Sequence, residues 1–177
     1  MAIAKRKKRF FTVEIPLIKK SVELQAYEIN ELNGRTISYD LTRLLRGKNL
    51  LAQFTVVAGE KEATANPREI KVMPSFLRRM IRKGTNQIDD SFTAKTSDGE
   101  AVVKPFLITR RKVPRKIRTA LRIKAREEIM NYAKEKTSAQ LFDDTLKNIL
   151  QKELSLRLKK IYPVSFCEIR ILKLKSK

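Results

Sequence analysis

The sequence contains no histidine and no tryptophan, and cysteine occurs once, as Cys167. Without histidine the chain cannot use Ser-His-Asp or Cys-His catalysis, an imidazole metal ligand or a histidine pH switch. A single cysteine cannot form an internal disulfide or a cysteine zinc cluster. No apolar run approaches the ~18 residues of a membrane span. We therefore expect a soluble, intracellular protein that is not an enzyme and carries no metal or other cofactor.

Glycine and proline are also scarce, with five and six residues in a chain of 177. There is no internal repeat, no low-complexity tract and no Ser/Gly linker that would mark a boundary between domains. A chain of this length can bury a sizeable core without a disulfide or a metal. We predict a single domain at residues 10–174, a basic N-terminal arm at residues 1–9 and a basic tail at residues 175–177.

Acids are the minority charge: 19 Asp and Glu stand against 40 Lys and Arg, for a formal net charge of +21. The N-terminal arm has five consecutive basic residues and no acid, namely Lys5, Arg6, Lys7, Lys8 and Arg9. The body of the chain stays basic when both ends are left out. Such a surface repels itself unless a polyanion neutralises it. Nucleic acid is therefore the leading partner, and anionic lipid is the second.

Alternating apolar residues and turn signals predict strands over most of the first two-thirds of the chain. The expected strands are Phe10–Ile18, Val22–Tyr27, Arg35–Asp40, Leu50–Ala58, Glu69–Met73, Ser91–Ser97, Glu100–Thr109 and, near the end, Val164–Leu174. Pro16 suggests an edge strand, Pro105 an edge or a bulge, and Lys61–Pro67 a polar loop. Asp98-Gly99 predicts a type I′ turn between two strands of a hairpin.

Three helices are expected, at Pro74–Gly84, at Arg115–Lys136 and from Thr137 to about Ile161. The third opens with a capping box of Thr137 and Gln140. Its apolar stripe consists of Phe142, Leu146, Ile149, Leu150, Leu154, Leu158 and Ile161. The elements together predict an α+β fold, an antiparallel, barrel-like sheet with about three packed helices.

The predicted helix Arg115–Lys136 carries an apolar stripe beside a basic one. The residues expected to face the core recur every four positions and are Ile117, Leu121, Ala125, Ile129 and Ala133. The basic stripe, rotated by about 100°, consists of Arg115, Arg118, Arg122 and Arg126. The segment Arg110–Arg126 contains no acid. Because neighbouring arginines repel each other, phosphates are expected to supply the missing anions.

The predicted helix Pro74–Gly84 has a second basic cluster. Its expected buried residues are Phe76, Leu77, Met80 and Ile81. The basic residues on its other side are Arg78, Arg79, Arg82 and Lys83. We predict that this cluster contacts the same polyanion as the arginine stripe.

Other candidate chemistry in the sequence favours simpler interpretations. Asp89-Asp90 and Asp143-Asp144 are adjacent pairs whose side chains diverge, so neither builds a metal cage, and Asp143-Asp144 suits the first turn of a helix. There is no phosphate-binding glycine loop. Cys167 is expected to be a small buried hydrophobe. Phe10, Phe11 and Tyr39 could stack on RNA bases, but core packing is the favoured role for all three.

Several motifs in order along the chain resemble one family. They are the hairpin and helix within Thr96–Met130, the Ile161–Pro163 segment before a closing basic strand, Phe11–Pro16, Gly34-Arg35 followed by Asp40-Leu41-Thr42, and Gly47–Asn49. This set resembles the S3Ae (eS1) family of small-subunit ribosomal proteins of archaea and eukaryotes. The chain has neither the long lysine-rich N-terminal extension nor the longer C-terminal tail of eukaryotic members, so it is similar to archaeal members.

The resemblance implies a structural protein on the platform of the small ribosomal subunit, near the messenger RNA exit. It implies RNA contact by the arm Lys5–Arg9 and by Arg110, Arg111, Lys112, Arg115, Lys116, Arg118 and Arg122. The implied partners are small-subunit ribosomal RNA, neighbouring ribosomal proteins and, near the exit, messenger RNA, with no membrane and no small-molecule substrate. The implied location is the cytoplasm, on the ribosome.

Two other functions fit the charge. A free RNA chaperone, or a non-specific nucleic-acid-binding protein such as a chromatin-type DNA binder, would have the same composition. A polybasic membrane-surface protein would need a basic helix with an aromatic, strongly apolar opposite face. Arg115–Lys136 offers mainly Ile, Leu and Ala there, which favours RNA.

Overall fold

The computed structural model of the chain describes residues 7–45, 47–59 and 62–175. The strands are β1 (Arg9–Ile15), β2 (Lys20–Ala26), β3 (Thr36–Asp40), β4 (Leu50–Ala58), β5 (Ala63–Val72), β6 (Gln87–Asp89), β7 (Phe92–Lys95), β8 (Glu100–Thr109) and β9 (Val164–Leu174). The helices are α1 (Pro74–Met80), α2 (Arg115–Lys134), α3 (Ser138–Leu146) and α4 (Ile149–Leu158). The predicted α+β class is confirmed.

The chain divides into two compact units. The first unit comprises Met1–Tyr39 and Ala52–Arg68, and the second comprises Asp40–Leu51 and Glu69–Lys177. This division does not test whether either unit folds by itself, so the single domain at residues 10–174 stays a prediction. Of the two predicted tails, Lys5, Arg6 and residues 176–177 lie outside the described residues.

In the first unit, β1 lies between β2 and β5. β2 is antiparallel to β1, with Val13 opposite Val22, and β5 is parallel to it, with Val13 beside Ala63. β4 pairs with β3 and with β5. The prediction that Pro16 marks an edge strand is therefore wrong. Pro16 lies beyond the end of β1, as the first residue of a 3₁₀ turn that leads into β2, where its fixed φ suits a turn.

The first half of β5 corrects the predicted loop at Lys61–Pro67. Ala63 and Ala65 are fully buried, whereas Thr64 and Asn66 are exposed. This is the period of two that a strand with one buried face requires. The buried positions are small alanines among polar residues, so the sequence resembles a loop although the backbone is extended.

In the second unit, β8 is the central strand. β9 pairs with it antiparallel along nearly its whole length, and β6 and β7 share its other edge. Of the two predicted settings for Pro105, an edge or a bulge, the second agrees with the structure, because the register against β9 shifts between Lys104 and Pro105. β7 pairs up to Val103 and β6 begins at Phe106. The proline therefore lies at the break between these two partner strands.

The hairpin of β7 and β8 is confirmed, but its turn differs from the prediction. The backbone N–H of Thr96 donates to the carbonyl oxygen of Gly99 at 2.8 Å, so Ser97 and Asp98 are the two central residues. Neither Asp98 nor Gly99 has a positive φ. The type I′ prediction is therefore wrong, because that turn needs positive φ at both central positions.

The third predicted helix is two helices, so residues 7–45, 47–59 and 62–175 contain four α-helices instead of three. Asn148 separates α3 from α4 with a φ of 63°, a left-handed conformation that asparagine tolerates better than most residues. The capping box of Thr137 and Gln140 at the start of α3 is confirmed. Most of the predicted stripe is buried, including Leu150, Leu154 and Leu158 after the break. Ile149, the first residue of α4, and Ile161, which lies beyond its end, are 45% and 40% exposed.

The strands form a mixed sheet, since β1 and β5 run parallel. Among the described residues the pairings leave free edges at β2 and β6, so the sheet does not close into the barrel-like form that the sequence predicts. Across the described ranges, no helix combines the length and the apolarity needed to span a membrane.

Candidate nucleic-acid interface

The arginine stripe of α2 is exposed, as predicted. α2 packs on β6 and β7 through an apolar face of Leu121, Ala125, Ile129 and Ala133, all of which are at most 1% exposed. Arg115, Arg118 and Arg122 lie outside this face and are exposed. The first turn of α2 contains no acid. The positive end of the helix dipole and the arginines therefore both favour an anion here.

The loop between β8 and α2 is fixed by Asn86 and Thr109. The Asn86 side-chain oxygen accepts the Val113 backbone N–H at 2.7 Å. The buried Thr109 hydroxyl accepts the Asn86 backbone N–H at 2.9 Å and donates to the Arg111 carbonyl oxygen at 2.7 Å. The loop backbone is thereby held in one conformation, while Arg110, Arg111 and Lys112 stay exposed.

The same contacts bring the second basic cluster to this loop. Asn86 follows directly after the segment that ends α1, where the Thr85 hydroxyl donates to the Arg82 carbonyl oxygen at 2.7 Å. The Thr109 backbone N–H donates to the Asn86 carbonyl oxygen at 2.9 Å. The segment that follows α1 and the segment that precedes α2 are thus adjacent on the surface. Arg82 and Lys83 precede this junction, and both are exposed.

We call the exposed cations of these segments the unpaired basic surface. It consists of Arg78, Arg79, Arg82, Lys83, Arg110, Arg111, Lys112, Arg115, Lys116, Arg118 and Arg122. Within the described part of the chain, none of these residues forms an ion pair with a carboxylate. All belong to the second unit. Arg122 is close enough to Asp90 for its charge to help lower the pKa of that carboxyl, but the surface as a whole has many more cations than nearby carboxylates.

A cleft of about 250 Å³ lies between β6 and the start of α2. Its lining includes Arg115, Arg118 and Arg122 together with Gln87 and Asp89. The Gln87 side-chain amide donates to the Asp89 carboxylate at 2.5 Å. Three guanidinium groups against one carboxylate keep the cleft positive. Planar guanidinium groups suit phosphate oxygens, which they can bind through two hydrogen bonds.

Arg126, the fourth member of the stripe, differs because it has a partner. Its Nε and Nη2 donate to the two carboxylate oxygens of Asp90 at 3.0 and 2.8 Å, and its guanidinium lies over the Phe92 ring at 5.4 Å. Burial raises the pKa of Asp90, but hydrogen bonds from Arg126 and from the Ser91 N–H outweigh it, so this pKa lies below its ordinary value. The sequence gives no signal for this pair, since Asp90 precedes Arg126 by 36 residues.

Several other cations of the second unit are paired as well. Lys124 contacts Glu128 at 3.0 Å and Arg157 contacts Glu128 at 2.5 Å. Lys136 contacts Asp144 at 3.1 Å, and the Tyr132 hydroxyl donates to the same carboxylate at 2.7 Å. The pKa of Asp144 is below its ordinary value, because these hydrogen bonds and the lysine charge outweigh the raising effect of burial.

In the first unit, the described part of the basic arm is exposed. Lys7, Lys8 and Arg9 have exposed side chains, and the Lys8 ammonium lies 5.6 Å from the centre of the Tyr27 ring. The other two predicted residues of the arm, Lys5 and Arg6, lie outside the described residues. RNA contact by the arm remains a prediction.

The acid pairs take part in ion pairs. Asp143 contacts Lys147 at 2.5 Å and Asp144 contacts Lys136. Both lie in the second half of α3, so the prediction that they occupy the first turn of a helix is wrong. Among the described residues, no three potential metal ligands come together.

Two other predictions concern single side chains. Cys167 is partly exposed, so the prediction of a buried residue is not met in full, although burial of the thiol raises its pKa to about 12. Core packing is wrong for Phe10, which is 64% exposed. Phe11 and Tyr39 are partly exposed, and the Lys20 ammonium lies 5.9 Å from the centre of the Tyr39 ring.

Comparison with known proteins shows what the chain is similar to. The sequence pattern of the Ribosomal S3Ae family matches residues 4–177. The small ribosomal subunit protein eS1 of Nanoarchaeum equitans is 33% identical, over 93% of this chain and 87% of the relative. The small ribosomal subunit protein eS1 of Pyrobaculum arsenaticum is 27% identical, over 94% of this chain and 80% of the relative. Both organisms are archaea, as the resemblance implies.

Proposed function

The chain belongs to the ribosomal S3Ae family, and from this premise we propose that it binds small-subunit ribosomal RNA by neutralising phosphates. As a member of that family it is a structural ribosomal protein and not an enzyme. We further propose that it lies in the cytoplasm on the platform of the small subunit, near the messenger RNA exit, with messenger RNA as an additional contact.

The observation that carries the proposal is the unpaired basic surface. Elsewhere in the second unit some cations have carboxylate partners, such as Lys124, Arg126 and Lys136, and others, such as Lys95, Lys134 and Lys160, are exposed without one among the described residues. The unpaired basic surface differs in the number of unpaired cations that its segments bring together. Keeping so many like charges together costs free energy in the isolated protein. Phosphates would remove that cost and release the counterions of the RNA, which gives affinity with little dependence on base sequence.

Neighbouring ribosomal proteins are the second class of partner in the proposal. The outer side of α4 exposes apolar residues, with Leu156 69% and Ile149 45% exposed. A patch of this kind on a basic protein suits contact with a protein and not with phosphates. This observation supports a role in which one surface of the chain holds RNA and another contacts protein.

Sedimentation tests the assignment to the subunit. A lysate from cells that express the tagged chain is separated on a sucrose gradient, with and without a high-salt wash, and the fractions are probed for the chain. We expect the chain to migrate with the small subunit and to remain there after the wash. A chain that stays at the top of the gradient, or that leaves the subunit readily in salt, would favour a free RNA chaperone instead.

A further inference from the structure

An aromatic side chain of the first unit lies largely in solvent. Phe10 is 64% exposed, although it lies on β1, a strand with paired neighbours on both sides. The other face of β1 buries Val13 and Ile15 completely. Phe10 therefore belongs to the outer face of the strand, and the core of the unit gives no reason for a ring at this position.

A second aromatic residue and a cation share this outer face. Phe10 lies opposite Gln25 across the pair of β1 and β2, so residues 8, 10, 25 and 27 point to one side. The Lys8 ammonium lies 5.6 Å from the centre of the Tyr27 ring, which agrees with this register. Tyr27 is 41% exposed. Phe10 and Tyr27 are diagonal neighbours, at roughly 7–8 Å.

The backbone holds this arrangement in place. The Tyr27 N–H donates to the Glu31 carboxylate at 3.0 Å, which fixes the bend after β2. Arg35, which is exposed, donates from its guanidinium to the Gln25 carbonyl oxygen at 2.9 Å. This contact places a second cation at the edge of the aromatic pair, and most of the donors of the guanidinium remain available.

Two exposed rings with cations beside them match one kind of partner. Bases of an unpaired RNA strand stack on aromatic side chains, while lysine and arginine contact the phosphates between them. The bases of a duplex are already stacked and cannot use the rings in this way. Further along the same face, Thr12 lies opposite Glu23, and the carboxylate of Glu23 is unfavourable for phosphate. The patch is therefore suited to about two nucleotides.

We propose that Phe10 and Tyr27 form a stacking platform for an unpaired segment of small-subunit ribosomal RNA, with Lys8 and Arg35 at its phosphates. The identity of the RNA rests on the proposed function, whereas the stacking contact rests on this face alone. The platform binds bases, and the unpaired basic surface binds phosphates. These two contacts can be tested separately.

The test compares an octamer of uridine with an octamer of the same backbone that carries abasic riboses. The full chain is titrated with each oligonucleotide and with a short RNA duplex. We expect tighter binding of the octauridine than of the abasic octamer, and a loss of roughly tenfold in octauridine affinity for Phe10→Ala. Binding of the duplex and of the abasic octamer should not change in this variant.

Two further variants separate stacking from apolar contact. Phe10→Tyr keeps a ring and should bind octauridine like the wild type, whereas Phe10→Leu keeps apolar surface only and should bind it like Phe10→Ala. Val57→Ala is the matched control, because Val57 is an apolar residue of the same unit that is 45% exposed. Equal binding of both octamers by the wild type, or wild-type binding by Phe10→Leu, would overturn the proposal.

The remaining arms identify the RNA and keep the two proposals apart. In purified small subunits without messenger RNA, ultraviolet light should cross-link the peptide that contains Phe10 to ribosomal RNA, and a cross-link that needs added messenger would overturn the assignment. Changing Arg115, Arg118 and Arg122 to Gln should weaken the binding of all three oligonucleotides. The preference for octauridine over the abasic octamer should persist. No weakening there would refute phosphate binding by these arginines and leave the platform intact.

Discussion

The first two turns of α2 and the turn that follows them carry cations in different electrostatic settings. In the first two turns, Arg115, Arg118 and Arg122 are exposed without a carboxylate partner among the described residues. In the turn that follows, Lys124 and Arg126 form ion pairs with Glu128 and Asp90. Cations that already have a partner stabilise the fold, and those without one are available to an external anion. The charge of a helix therefore indicates less about function than the position of its counterions does.

The largest expected effect comes from the most buried pair. The Lys48 ammonium contacts the Glu168 carboxylate at 2.5 Å, and the Glu168 side chain is only 3% exposed. The Gln151 amide donates to the same carboxylate at 2.6 Å. Glu168→Ala leaves the part-buried Lys48 charge without a carboxylate, although Lys48 keeps its contact with Asn148 and the Gln151 amide keeps the Thr145 carbonyl oxygen. We expect the free energy of unfolding to fall by about 3–5 kcal/mol, as measured by urea denaturation.

An exposed pair provides the control for that variant. Lys175 contacts Glu100 at 3.1 Å, with side chains 61% and 41% exposed. Glu100→Gln should change the free energy of unfolding by less than about 1 kcal/mol. Similar losses in Glu100→Gln and Glu168→Ala would mean that burial does not set the strength of these pairs.

An intermediate effect is expected from releasing Arg126. Asp90→Asn removes the carboxylate that holds the guanidinium, which should cost about 1 kcal/mol or less in stability. The released arginine extends the unpaired basic surface by one position. The slope of log affinity for RNA against log salt should steepen by up to about 0.9, as measured by filter binding. An unchanged slope would place the limit of the RNA contact at Arg122.

The smallest effect is a pH dependence of stability that arises from the carboxylates paired with cations. The pKa values of Asp90, Asp144 and Glu128 lie below their ordinary values, because donors and cations outweigh the raising effect of burial. Their stabilisation is complete above the unfolded pKa of about 4 and is lost as pH falls through the lower folded values. We expect unfolding by urea to be nearly independent of pH between 5 and 7, on the scale set by these carboxyls, and easier below about 4.

Asp144→Asn checks the sign of that dependence. The variant has no carboxyl to protonate at this position, so its stability should fall less steeply below about pH 4. If stability instead rose as the solution became acidic, these carboxylates would not stabilise the fold in their charged form.

The sequence predicts the regular elements well wherever large apolar residues set the period. The bounds of β4 and β9 agree with the prediction, and α2 begins at the predicted Arg115. The first half of β5 was not predictable in this way, because alanines occupy its buried positions. The break at Asn148 was also hidden, since the apolar stripe continues through it and only one residue changes its backbone conformation.

The candidate site could be predicted as a set of cations but not as a surface. Exposure of the arginine stripe follows from the position of the apolar stripe on α2. The Asn86 contacts that join the loop after α1 to the loop before α2 depend on tertiary structure, as does the pairing of Arg126 with Asp90. The exposure of Phe10 also depends on the tertiary fold, because its sequence is that of an ordinary buried strand.

The salt dependence of RNA affinity in two variants of equal charge tests directly whether unpaired arginines, and not paired lysines, bind RNA phosphates. One variant changes Arg115, Arg118 and Arg122 to Gln. The other changes Lys147, Lys173 and Lys175, which have carboxylate partners, to Gln. The probe is a transcript of an archaeal small-subunit ribosomal RNA. The slope of log affinity against log salt is negative. We predict that its magnitude decreases by about 2–3 in the arginine variant and by less than about 0.5 in the lysine variant. Equal changes in both variants would contradict the account, because net charge alone would then explain the binding.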